Sequence, residues 1–165
     1  MWKLLRAFLL FFICIMLGGA ASEKLKKRAG MLEGLISDLN TMRVRLKNEN
    51  SGIGSIVSEL AENGNLKKFW LEMKKEVDLN RSFAQAFSKS RNMMDGLNKK
   101  ETEVFGKFAA DFGKDDRQSE LNRLDALIAE FDEAEKKCRS DYPGKIKLLR
   151  SLSTLGGIAL ALTVI

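Results

Sequence analysis

The chain contains no histidine, one proline and two cysteines. Without histidine it lacks the commonest general base and the commonest nitrogen ligand for metals. Cys14 and Cys138 stand in unrelated contexts without C-x-x-C spacing, so two unpaired structural thiols are favoured over a disulfide or a metal site. The sequence also has no P-loop, no dinucleotide-binding fingerprint and no nucleophile elbow. We therefore expect no enzyme activity, no cofactor and no small-molecule substrate.

The net charge of +6 is concentrated near the two ends of the chain. The basic residues there are Lys3, Arg6, Lys24, Lys26, Lys27, Arg28, Lys145, Lys147 and Arg150. Between Ala29 and Gly144 the acidic residues slightly outnumber the basic ones. A protein that binds nucleic acid needs a basic face on its folded part to displace counterions from phosphates. Nucleic acid is therefore not expected as a partner.

Residues 1–22 have two interpretations. A basic start, an apolar stretch at 7–17 and small residues at 19–21 make the pattern of a secretory signal peptide. However, a basic cluster resists translocation, and one follows immediately: Lys24, Lys26, Lys27 and Arg28. The apolar pattern also continues without a turn signal into Leu25. A retained transmembrane helix is favoured, with a cleaved signal peptide as the alternative.

Residues 146–165 form a second apolar segment, which carries no charged side chain after Arg150. As a helix the segment would be about 30 Å long, which matches the hydrocarbon thickness of a bilayer. Lys147 and Arg150 can snorkel to the lipid surface at its start. Because Lys and Arg accumulate on the cytoplasmic side of membrane spans, the two basic flanks predict both termini outside and residues 23–145 in the cytoplasm.

Each predicted span carries a pair of glycines, Gly18-Gly19 in the first and Gly156-Gly157 in the second. In lipid, small residues let helix backbones approach closely, which is a main source of helix association. Glycine is also simply commoner in membrane helices. The glycine pairs are thus candidates for contact between the two spans, with a purely compositional origin as the equal alternative.

Residues 23–145 lack strand signals and predict an all-α antiparallel bundle of about six helices between the two spans. Apolar residues recur at three- and four-residue steps in the segments 32–46, 53–60, 66–77, 83–94, 104–112 and 121–131. The expected helix boundaries are Gly64 as a C′ residue, caps at Asn65 and Asp115-Asp-Arg-Gln118, a capping box Ser82–Gln85, and a stop at Gly113. The last helix is expected to run to about Tyr142.

Two motifs, in the order in which they occur along the chain, make it resemble the stage III sporulation protein AB family over essentially its full length. "FGKDDRQSE" (Phe112–Glu120) is similar to the family's Leu-Gly-x-Ser-Asp turn, and "RSLSTLGGIALAL" (Arg150–Leu162) to its Ser-Leu-Gly-x-Leu-Gly-Gly membrane entry. Asp115 and Ser153 depart from the family pattern, replacing a serine and a glycine. Tyr142-Pro143-Gly144 also interrupts a helix that is commonly continuous, so a kink is expected there.

The resemblance implies a membrane subunit of the channel between mother cell and forespore, with its helical part similar to the F domains of type II secretion and type IV pilus platform proteins. It implies a secretion-type ATPase, the AA protein, and other AA–AH subunits as partners, and the outer forespore membrane of the mother cell as the location. Membrane lipid is a further expected partner, and self-association is left open. The alternatives are a platform subunit outside sporulation and a secreted helical binding protein.

Overall fold

The computed structural model describes the backbone of residues 2–48 and 52–164, and the side chains of residues 23–48, 52–141, 144 and 151. This part of the chain consists of six α-helices and one 3₁₀ turn, and it contains no strand. The elements are α1 (Trp2–Asn48), α2 (Ile53–Asn63), α3 (Lys67–Asp78), α4 (Phe83–Ser90), the 3₁₀ turn Arg91–Met93, α5 (Lys99–Asp111) and α6 (Arg117–Val164). The predicted all-α fold is confirmed.

The chain divides into two compact units. One unit is Arg28–Glu135, called the body below, and the other comprises Met1–Lys27 and Lys136–Ile165. In the second unit, the thiol of Cys138 lies 3.8 Å from the backbone oxygen of Leu25, so α1 and α6 are neighbours there.

The predicted membrane spans are not tested by the structure. Among the residues that the structure describes, no helix combines the length and the apolar character needed to cross a membrane. Residues 1–22 and 146–165 lie almost entirely outside the described side chains. The predicted end of the last helix at about Tyr142 is wrong, because α6 is helical from Arg117 to Val164 and Pro143 does not end it. The two spans and the kink therefore stay predictions.

The core of the body is built from helix stripes and aromatic rings. On α1, Leu32, Leu35, Leu39 and Met42 are all fully buried, as their three- and four-residue spacing predicts. The ring of Phe69 meets the rings of Trp70 and Phe105 edge-on, with centroids 4.8 and 5.9 Å apart. The buried aromatic residues are Phe69, Trp70, Phe83, Phe87, Phe105, Phe108, Phe112 and Phe131. Aromatic pairs in such edge-on and tilted arrangements contribute more to stability than the burial of their apolar surface alone.

Helix ends in the body follow the sequence signals in part. The Ser82–Gln85 capping box is present, with both reciprocal hydrogen bonds. Gly113 has φ +88° just after α5, as expected of a helix stop. α4 is shorter than predicted, since it ends at Ser90 and passes into the 3₁₀ turn, although Met94 is still only 2% exposed.

Gly64 is needed for a different reason from the predicted one. It follows α2 with φ −69° and ψ 162°, which any residue can adopt, so the expected left-handed C′ conformation is absent. A Cβ at this position would instead lie 2.4 Å from the backbone oxygen of Leu60 and 3.2 Å from Oδ2 of Asp38. Close approach of the chain, rather than a positive φ, therefore requires glycine here.

Candidate functional site

Three carboxylates in the body are nearly inaccessible to water: Asp38, Glu101 and Glu120 are 1%, 5% and 4% exposed. Carboxylates shielded from water are candidates for acid–base chemistry. What each carboxylate contacts decides whether it is available for such a role.

Asp38 of α1 is used entirely as a hydrogen-bond acceptor for the start of α3. Its Oδ1 accepts from the backbone N–H of Asn65 at 2.7 Å and from the Asn65 side-chain amide at 2.9 Å. Its Oδ2 accepts from the backbone N–H of Leu66 at 3.0 Å and from the indole N–H of Trp70 at 2.7 Å. The predicted cap by Asn65 is wrong: Leu66 is the N-cap and provides no side-chain cap. A carboxylate from another helix caps α3 because its negative charge suits the helix N-terminus.

Glu101 closes the start of α5 and holds Arg28. Its Oε2 accepts from the backbone N–H of Asn98 at 2.8 Å, while its own N–H donates to Oδ1 of Asn98 at 2.9 Å. Nε of Arg28 donates to Oε1 of Glu101 at 3.1 Å. Arg28 was predicted to belong to the basic flank at the membrane surface, and its guanidinium is here paired within the body. The Asn98–Glu101 capping box was not among the predicted helix boundaries, although its N-x-x-E spacing is a signal that the sequence carries.

Glu120 stabilises the turn between α5 and α6. Its Oε1 accepts from the backbone N–H groups of Gly113 and Asp115, at 2.9 and 3.3 Å. Its Oε2 has no hydrogen-bond partner among the described residues, and Arg123 approaches Oε1 at 3.7 Å. The turn also requires glycine at 113, because of its positive φ and because a Cβ there would lie 2.5 Å from Ile53.

The cap of α6 is one residue later than predicted. Oδ2 of Asp116 accepts from the backbone N–H groups of Gln118 and Ser119, at 3.0 and 3.1 Å, and Oδ1 accepts from the Ser119 hydroxyl at 2.6 Å. These bonds, the hydroxyl first, lower the pKa of Asp116 below its ordinary range. Asp115 instead pairs with Arg123, and this contact raises the pKa of that guanidinium. The motif Phe112–Glu120 is therefore a turn-forming element.

No arrangement for catalysis or metal binding is found among the described side chains. The three buried carboxylates accept hydrogen bonds from backbone, indole and arginine groups. No group of three or more Cys, Asp or Glu residues within this part of the chain could hold a metal ion. The contacts at these carboxylates are structural ones.

The body presents two surface features that could bind another molecule. The first is an open groove of about 650 Å³ between α5 and α6, with buried Phe108 and Leu127 beneath a rim that carries both charge signs. The second is the outward face of α3 and the residue that follows it, where Leu71 is 47% exposed and Leu79 is 64% exposed. Single exposed leucines are ordinary on a protein surface, so this face is a candidate interaction surface because two of them lie on the same side.

The predicted membrane-surface residues are only partly described. Lys24, Lys26 and Lys27 are exposed, as a flank at a lipid surface requires. The remaining flank residues and the glycine pairs lie outside the described side chains: Lys145, Lys147, Arg150, Gly18, Gly19, Gly156 and Gly157. Their assigned roles therefore stay predictions.

The model of the family described as stage III sporulation protein AB matches residues 3–165 of the chain. The resemblance seen in the sequence is thereby confirmed over nearly the whole length. No curated protein and no solved structure matches the chain significantly.

Proposed function

The chain belongs to the stage III sporulation protein AB family, and from this membership we propose that it is a non-enzymatic membrane scaffold of the channel between mother cell and forespore. The observation that carries the proposal is the family match over residues 3–165, which includes the helical body and both apolar ends. The hydrogen bonds that Asp38, Glu101 and Glu120 accept at helix starts and turns are consistent with a scaffold.

Two membrane helices, residues 1–22 and 146–165, would anchor the chain in the mother-cell membrane. The support for this part is the apolar length of each segment and the lysines and arginines beside it. The helical body would then face the cytoplasm of the mother cell. There it would bind the secretion-type AA ATPase and couple it to the other subunits of the channel.

The body suits such a role because its helices are braced against one another by side chains distant in sequence. Trp70 is bonded to Asp38 over 32 residues, Arg28 to Glu101 over 73, and Arg43 to Asp125 over 82. A unit braced in this way can transmit force from an ATPase without losing its internal arrangement, because its packed interior is close to incompressible.

Cysteine labelling in intact sporulating cells tests the topology when the cells are taken before engulfment, while the outer face of the mother-cell membrane is still open to the medium. Lys67→Cys lies on the exposed surface of α3, and Ile165→Cys is the matched control at the other predicted side, both in a Cys14→Ser, Cys138→Ser background. The proposal predicts that a membrane-impermeant maleimide labels position 165 and reaches position 67 only after the membrane is opened. Labelling of position 67 in intact cells would contradict it. Sequencing the mature N-terminus distinguishes the secreted alternative, for which the chain would begin at Ser22.

A further inference from the structure

The outward face of α3 combines exposed leucines with lysines. Leu71 and Leu79 recur with Lys75 between them at four-residue steps, so the three lie on one side of the helix. Leu71 and Leu79 are 47% and 64% exposed, and they lie about 12 Å apart along the helix axis. Apolar side chains at this spacing would let the helix lie along a surface rather than touch it at one point.

The lysines of this face are in excess over its acidic residues. Lys67, Lys68 and Lys74 have no ion-pair partner among the described residues, and Lys75 pairs with Glu72 at 2.8 Å. The acidic residues on this side are Glu72 and Asp78, so the lysines outnumber them two to one. The face is therefore positively charged, in a body whose net charge is negative.

The 3₁₀ turn next to α3 also carries basic and apolar side chains. It contacts α3, as does α4. In this turn Met93 is 47% exposed and Arg91 is exposed, and Lys89 is exposed at the end of α4. Within the described part of the chain, four large apolar side chains are exposed, and three of them lie in α3, just after it or in the neighbouring turn: Leu71, Leu79 and Met93. The fourth is Val44 of α1. We call this set the basic face: Lys67, Lys68, Leu71, Lys74, Lys75, Leu79, Lys89, Arg91 and Met93.

We propose that the basic face lies against the surface of an anionic lipid bilayer. An anionic bilayer attracts a surface that combines positive charge with exposed aliphatic groups. The lysine ammonium groups contact the lipid phosphates, while the lysine stems and the leucines enter the interface between headgroups and acyl chains. The type of cation also matters: protein–protein interfaces are enriched in arginine and depleted of lysine, whereas five of the six cations here are lysines. The observations thus favour lipid over an acidic protein as the occupant.

The proposal rests on the proposed function, because it requires a membrane beside the body. The experiment gives different results for the failure of each. The full chain carrying Leu71→Cys, in the Cys14→Ser, Cys138→Ser background, is labelled with an environment-sensitive fluorophore. It is reconstituted in vesicles of phosphatidylcholine alone or of equal parts phosphatidylcholine and phosphatidylglycerol. The matched control is Val44→Cys, which is 54% exposed and whose neighbours Arg43 and Arg45 are already paired with Asp125 and Glu59.

We expect the fluorescence of position 71 to shift to the blue and to brighten only in the vesicles with phosphatidylglycerol. Added salt should reverse the change, because it screens charges at a surface. Position 44 should not respond. Reversing three lysines of the face (Lys67→Glu, Lys68→Glu, Lys74→Glu) should abolish the shift, whereas the same reversal at exposed Lys47, Lys100 and Lys107 should keep it.

An unchanged spectrum at position 71 in anionic vesicles would overturn the proposal, provided that alkaline flotation shows the chain inserted. A shift produced by the soluble ATPase, and not by lipid, would overturn it as well and would assign the face to a protein. Failure of the chain to float with the vesicles is instead the result that contradicts the proposed function.

Discussion

The indole N–H of Trp70 donates a hydrogen bond to Oδ2 of Asp38 at 2.7 Å, between two side chains that are 0% and 1% exposed. The same oxygen accepts from the backbone N–H of Leu66, so one carboxylate of α1 both starts α3 and fixes its largest core side chain. This acid therefore helps to fix the position of α3, together with the packing of Phe69, Trp70 and Met73 in the core.

Replacing Asp38 by alanine should destabilise the body strongly. The backbone N–H groups of Asn65 and Leu66 and the indole N–H of Trp70 would all lose their acceptor. The indole donor is buried and the two backbone donors are part-buried. At about 1–3 kcal/mol for a buried donor left without a partner, and less for a part-buried one, the expected loss is about 3 kcal/mol. Trp70→Phe removes one of these bonds and should cost less. Urea unfolding of the full chain in detergent measures both, and a loss under 1 kcal/mol for Asp38→Ala would show that the acid is dispensable.

Gly64 and Gly30 should respond in opposite directions to the same substitution. Gly64→Ala places a Cβ 2.4 Å from the backbone oxygen of Leu60 and should lower the melting temperature. Gly30 lies within α1 with nothing within 4 Å of its added Cβ. Alanine there should stabilise the chain by about 0.5–1 kcal/mol, because it lowers the entropy of the unfolded state. Equal melting temperatures for the two variants would contradict the close approach at Gly64.

The cap of α6 should make the stability of the folded chain vary with pH in the acidic range. Because the pKa of Asp116 is lowered in the folded state, its charged form stabilises folding above the ordinary aspartate pKa of about 3.9. That contribution is lost as the pH falls through the lowered, folded-state value. Asp116→Asn keeps a capping oxygen but does not titrate, so its melting temperature should fall less steeply over this range. Asp78→Asn, at an exposed position, is the control and should follow the wild type. A profile for Asp116→Asn identical to the wild type would contradict the assignment of this cap.

The sequence predicted those features that depend on residues close together in the chain. The stripe Leu32, Leu35, Leu39, Met42 and the Ser82–Gln85 box could be predicted because helix geometry alone brings those positions together. The cap of α3 could not be predicted, because its acceptor stands 28 residues before Leu66 and is brought to it only by packing. At α6 the two neighbouring aspartates both fit a capping pattern, and the pairing of Asp115 with Arg123 leaves Asp116 as the cap.

Contact between the two predicted spans should depend on Gly157. Replacing it by leucine should preserve insertion, since leucine is more apolar, while keeping the helices apart. Co-purification with the partner membrane proteins should then fall, with expression and membrane fractionation unchanged. Ser153→Gly, which restores the family pattern, is the control and should assemble normally. Assembly of Gly157→Leu at the wild-type level would mean that the glycine pair is only compositional.

The most direct test of a scaffold that engages an ATPase is whether the AA protein co-purifies with this chain from membranes of sporulating mother cells. Wild type and Gly30→Ala should both recover the ATPase. Asp38→Ala, matched for its amount in the membrane, should recover less, because the start of α3 loses its acceptor and the body is destabilised while the anchors are unchanged. An ATPase absent from the wild-type preparation, or retained equally by Asp38→Ala after its body is shown to be destabilised, would contradict the proposed function.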